Sequence, residues 1–238
     1  MNRIICTLAL AGVCAASAQS VSVSVAQPDS YEFGISAGYA GGLSGALSFT
    51  ARNVGGSSLG IRTSVAYTNI PDSLNDNESL VLGLPAAPGI RVGDLKATNE
   101  GTEAGRNITL GVDGLLHLGY SEASGIGANA YAGVRYNLFT GSLTTQSTSG
   151  PETIFVSTNQ IGVGGGVIAS LPLSGNVFLT GDLGVDHFFD APIRVSNPSS
   201  NAGDQVANPG DSNYAQADSL ANQPKTVLKA KVGVAVRF

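Results

Sequence analysis

The sequence predicts an all-β chain, an eight-stranded antiparallel up-and-down transmembrane β-barrel, and three observations carry that prediction. Apolar and polar residues alternate with a period of two through eight segments, as strands with two unlike faces require. The connections between these segments alternate between short and long. Only 12% of the 238 residues are charged, against about a quarter in ordinary soluble chains. No apolar run after residue 18 is long enough for a membrane-spanning helix, so a spanning structure has to be a closed barrel.

Residues 1–18, MNRIICTLALAGVCAASA, set Arg3 before an apolar run and end on Ala16-Ser17-Ala18, the layout of a cleaved secretory signal peptide. Val13 precedes Cys14 where a lipidation site would carry Gly, Ala or Ser. Both cysteines, Cys6 and Cys14, fall in the segment expected to be removed, which leaves no disulfide, thiolate metal site or cysteine nucleophile. Loss of Arg3 leaves 11 basic and 17 acidic residues, a net charge of −6, and that balance excludes a nucleic-acid partner. Residues 19–30, QSVSVSVAQPDS, read as a periplasmic N-terminal tail, and the barrel occupies 31–238.

The first strand, 31–40, sets Tyr31, Phe33, Ile35, Ala37 and Tyr39 against Glu32, Gly34, Ser36 and Gly38. Gly41-Gly42 permits a tight reversal into 43–52, where Leu43, Leu47, Phe49 and Ala51 oppose Ser44, Ala46, Ser48 and Thr50. The third strand, about 58–68, opposes Leu59, Ile61, Val65 and Tyr67 to Gly60, Arg62, Ser64 and Ala66. The fourth, 106–119, carries Ile108, Leu110, Val112, Leu116 and Leu118 against Thr109, Gly111, Asp113 and His117. In the fifth, 126–140, Ala130, Ala132, Val134, Tyr136 and Leu138 oppose Tyr131, Gly133, Arg135 and Asn137. The sixth spans 153–171, the seventh 177–189 with Asp182 and Asp186 on its polar face, and the last 225–238. Connections at 53–57, 120–125 and 172–176 are short, whereas 70–104, 141–151 and 190–224 are long. Short periplasmic turns and long external loops are the asymmetry of an outer-membrane barrel; Gly41-Gly42 alone is shorter than that pattern predicts. A soluble antiparallel barrel or sandwich explains the alternation but neither this ordering nor the low charge.

Val232, Val234, Val236 and the terminal Phe238 resemble the C-terminal insertion signal of bacterial outer-membrane barrels. As a whole, the mature chain resembles the small eight-stranded barrels typified by the OmpA transmembrane domain, OmpX and OmpW. The resemblance implies a bacterial outer-membrane location and contact with outer-membrane lipid and with the barrel-assembly machinery through the last strand; the residues themselves carry no catalytic or cofactor motif, and neither an enzymatic activity nor a cofactor is expected. The long external loops on a rigid barrel point to display for contact with a surface or envelope protein partner, or for envelope integrity. A porin-like passive channel or carrier for small or apolar solutes is the alternative.

With the apolar face on lipid, the enclosed face collects Glu32, Arg62, Asp113, His117, Arg135, Asp182, Asp186, Lys229, Lys231 and Arg237. Enclosed charges have to be paired and hydrogen-bonded. Asp182 and Asp186 are expected opposite Lys229 and Lys231, with Gly162, Gly164 and Gly166 leaving room for long side chains such as Tyr131, so the expected lumen is plugged. Of the two histidines, His117 falls towards the periplasmic end, and His187 points outwards with Val185 and Phe189, where it belongs to an aromatic girdle. No Ser-His-acid set is assembled for catalysis on lipid. The acids Asp72, Asp76 and Glu78, and Asp204, Asp211 and Asp218, lack calcium-loop spacing, and the metal expectation is none. The glycines of 162–166 form no phosphate-binding loop, because no helix follows them.

Overall fold

The computed structural model describes residues 30–78, 91–98, 100–121, 125–147, 150–198 and 203–238. The expected signal peptide and all but the last residue of the expected tail lie outside them. Strand β1 (Ser30–Ala40) runs through Gly41, whose φ of 71° needs a glycine, into β2 (Leu43–Arg52). A 3-10 turn at Val54–Gly56 leads to β3 (Leu59–Asn69). Helix α1 (Val92–Ala97) precedes three long strands, β4 (Gly101–Ser121), β5 (Ile126–Ser147) and β6 (Gly150–Ser174). Then follow β7 (Val177–Phe188), the short β8 (Ile193–Ser196) and β9 (Gln205–Ala207), α2 (Tyr214–Leu220) and β10 (Thr226–Arg237).

Eight of these strands close a ring in the order β1-β2-β3-β4-β5-β6-β7-β10, every neighbour antiparallel. The seam between the first and last strands is sealed by reciprocal bonds of 2.9 Å between the backbones of Tyr31 and Phe238. Closure removes both free edges, which a sheet in hydrocarbon requires. The alternation sorts the faces: Ile35, Leu47, Ile61, Val112, Val134, Ile161, Leu183 and Val232 are exposed on the outside, while Glu32, Arg62, Asp113, Arg135, Asp186 and Lys231 are buried within.

All three long connections carry more structure than the sequence-based expectation of loops, and 141–151 departs furthest from it. Instead of a polar loop at 141–151, β5 and β6 continue paired as far as Ser147 and Gly150. Along this extension the inward positions turn apolar: Phe139, Leu143, Ile154 and Val156 are buried there. They form one core with Ile70, Leu74, Val92, Ile193, Ala217 and Leu220, drawn from both long connections. β8 pairs with the extended β6, and β9 with β8. The long segments thus fold into a cap with its own apolar core at the end opposite the termini. Burial of apolar area stabilises it.

Candidate functional site

The lumen is built in tiers set by strand register. At the end nearer the termini, Glu32 accepts from Arg52 Nε and Nη2 at 3.0 and 3.1 Å and from Arg237 Nη2 at 3.1 Å. Arg52 ends β2 in the inward phase; the expected strand 43–52 contains it, but the inward set named from the alternation ends at Thr50. Arg237 also stacks its guanidinium 4.0 Å from the ring centre of Phe178.

Further along lies a chain of alternating charge. Arg62 donates to Asp113 Oδ2 at 2.8 and 3.0 Å and to Asp182 Oδ2 at 3.2 Å. Arg135 donates to the other oxygen of Asp113 at 2.6 Å and to Asp186 at 2.9 Å. Lys229 completes the chain on Asp186 at 2.7 Å. Register sets the first link, since Arg62 faces Asp113 across β3 and β4; Asp182 faces Lys231 across β7 and β10 but turns to Arg62 instead.

Tyr131 is the hub of this tier and is only 4% exposed. Its hydroxyl donates to Asp182 at 2.7 Å, and its ring lies 4.2 Å from the Arg62 guanidinium carbon and 5.4 Å from Lys229 Nζ, both cation–π distances. Glycine makes this possible: a Cβ on Gly166 would stand 2.7 Å from the Tyr131 hydroxyl, and one on Gly184 would overlap it. A Cβ on Gly164 would likewise overlap Asp186, whereas Gly162 lies against Phe188 rather than a long polar chain.

Towards the cap the charges give way to amides. Asn137 Nδ2 donates to Asn107 and Gln160 at 3.3 and 3.2 Å, and Gln160 donates to the carbonyl of Pro224 at 3.2 Å. Among the described residues, the lumen encloses cavities of about 70 and 40 Å³. Each has room for a few waters.

Two expected members stand apart. His117 is exposed at a register shift in β4, and among the described residues its ring meets Asn129 alone, at 3.3 Å, because the strand is ending and its inward phase opens onto the rim. Lys231 is buried but, among the described residues, no carboxylate lies within 4 Å of it, since its register partner Asp182 is engaged by Arg62 and Tyr131.

Outside the barrel wall, His187 bonds Thr226 at 3.0 Å and meets Phe189 edge-on at 5.7 Å. In the cap, Asp72, Asp76 and Glu103 converge on a cation supplied by the chain itself: Lys96 Nζ is 3.6, 2.6 and 2.7 Å from them. Burial opposes that charge, but hydrogen bonds to Asp76 and Glu103 outweigh it and hold the Lys96 ammonium above its usual range.

A closed ring of eight strands, greasy outside and ionic within, defines an integral protein of the bacterial outer membrane. The chain belongs to the family of a major outer membrane protein from Thermus thermophilus, with which it shares 32% identity over 89% of this chain and 100% of that one at a TM-score of 0.77. Acinetobacter baumannii CarO is 16% identical over 90% of this chain and all of that chain, with a TM-score of 0.43. The N-terminal barrel of Pseudomonas aeruginosa OprF is 11% identical over 88% and 97%, at 0.35. No protein-family model and no curated protein matches the chain.

Proposed function

We propose that this is a non-enzymatic outer-membrane protein, closed to solutes, whose barrel carries a folded external cap for surface contact or envelope integrity. The observation that supports the reading is the filled lumen: the chain of ion pairs from Asp182 through Arg62, Asp113 and Arg135 to Asp186 and Lys229 crosses the bore. An eight-stranded barrel has an interior just wide enough for side chains, and here they are held by charge-assisted bonds. The cap core lies over the same opening. Against catalysis, the outward His187 has a threonine and an aromatic for company rather than a carboxylate.

Outer-membrane lipid is the solvent of the wall, and Val232, Val234, Val236 and Phe238, all exposed at the C-terminal end, are the segment offered to the barrel-assembly machinery. The partner at the cap is a surface or envelope protein. Planar-bilayer recording on the purified protein tests the reading: a silent barrel is expected, and sustained conductance steps would replace it with a channel. Alanine at His187 should leave the lipid profile of the membrane unchanged, and an altered profile would argue for an enzyme.

A further inference from the structure

Within the spanning part, the inward side chains do not balance. Arg52, Arg62, Arg135, Lys229, Lys231 and Arg237 face Glu32, Asp113, Asp182 and Asp186, an excess of positive charge in a chain whose overall net charge is −5. Part of the excess, on Arg52 and Arg237, is at the rim, where these side chains are 14% and 31% exposed. Water screens it there. Lys231 is different, at 7% exposure and with no acidic partner among the described residues.

The two lumen cavities meet at this residue. Both are lined by Lys231, Arg62, Asp182, Ser36 and Ser48. Every acid in this tier is engaged: Asp113 by two arginines, Asp186 by Arg135 and Lys229, Asp182 by Arg62 and Tyr131. Carboxylates line the cavities too, Asp182 in both, Asp186 in the larger and Glu32 in the smaller, but each already accepts from a base; what is left over is the unpaired ammonium and two hydroxyls, Ser36 and Ser48, that form no hydrogen bond with another protein group among the described residues. All three groups can donate to an anion, the hydroxyls being acceptors as well, and a buried ammonium without a counter-charge is costly.

We propose that the lumen holds a small inorganic anion beside Lys231, with Ser36 and Ser48 as its further donors, and that a halide is the class of ion that fits. The volume of about 70 Å³ admits a monatomic ion with a water or two and excludes a lipid headgroup or a sugar. Bound there, the anion neutralises an ammonium that the described residues leave without an acid, and it does so in a place where water is scarce.

The test uses the full mature protein folded in detergent. Heating midpoints, read from the gel shift between folded and unfolded forms, are compared in sodium chloride and sodium gluconate at equal ionic strength. Chloride is expected to raise the wild-type midpoint by about 3 °C or more, as a ligand of the folded state alone does. The difference should vanish in Lys231→Met and shrink in the Ser36→Ala/Ser48→Ala double variant, which serves if the lysine variant does not fold. Crystals soaked in bromide should show an anomalous peak within hydrogen-bonding reach of Lys231 Nζ. Equal midpoints in the two salts, a difference that stays undiminished in the serine double variant, or a bromide-free cavity would overturn the proposal in favour of a neutral amine among waters. None of these results depends on whether the barrel conducts.

Discussion

Asp113 is the residue on which the lumen is most exposed to perturbation. Its side chain is fully buried, and it takes one guanidinium on each oxygen, Arg62 at 2.8 Å and Arg135 at 2.6 Å. Asp113→Ala would leave both arginines enclosed, each with one remaining acid: Asp182 at 3.2 Å for Arg62 and Asp186 at 2.9 Å for Arg135. Breaking a buried pair from one side costs about 3–5 kcal/mol, because the remaining charge keeps its desolvation penalty without its partner. With a urea slope of about 2 kcal/mol per molar, the midpoint should fall by roughly 1.5–2.5 M. The chain has no tryptophan, so the transition is best followed by circular dichroism or by gel mobility in detergent micelles. Replacing Arg62, Asp113, Arg135 and Asp182 together by uncharged residues of similar volume should recover much of the loss, since Asp186 then keeps Lys229 at 2.7 Å and no acid of the ion-pair chain is left without a cation. An Asp113→Ala midpoint within about 0.5 M of wild type would refute the claim that these charges are held out of water.

Gly184→Ala pushes a methyl group into the Tyr131 hydroxyl and should destabilise by about 1–3 kcal/mol; in a double-mutant cycle, Tyr131→Phe should relieve part of this, and strict additivity would show that the two do not meet. Because Lys96 is held above its ordinary value, the folded cap binds that proton more tightly than the unfolded chain does. The stability it contributes is therefore complete below about pH 10.4 and is lost as pH rises through the higher folded value. Protease cleavage of the cap should accelerate on that alkaline side, and Lys96→Met should cleave alike at neutral and alkaline pH. Val232 is 62% exposed on the outer wall, so Val232→Arg should cost about 2–4 kcal/mol in a bilayer if it sits near the midplane; refolding yield into vesicles measures this, and an unaffected yield would place it off the lipid face.

Period-two alternation was enough to find the barrel strands because lipid and lumen impose opposite demands on successive residues. Where those demands change, the reading failed. At Phe139 in β5 and Ile154 in β6 the strands leave the hydrocarbon; outside becomes water and inside becomes the cap core. The alternation continues there with its sense reversed, and a stretch such as Thr140, Ser142 and Thr144 looks like a polar loop while it is the wet face of a strand. Arg52 was missed for a related reason: it is the last residue of β2, with no apolar residue after it to mark the phase. The alternation gives His117 its phase, but phase does not say where a barrel ends. Tyr131 counted as a long chain needing room, and nothing in one sequence marks it as the point where Asp182, Arg62 and Lys229 meet, since those contacts join strands distant in the chain.

The paired extension of β5 and β6 makes wall and cap a single continuous piece of sheet, with no joint between them. From Asn137 to Ser147 the ladder runs about 33 Å at the usual rise per residue, so its tip is a mast fixed to the membrane rather than a tethered float. A tag grafted between Ser147 and Gly150 would keep a set height and bearing above the bilayer, and pulling on it would load the hydrogen bonds of the wall directly.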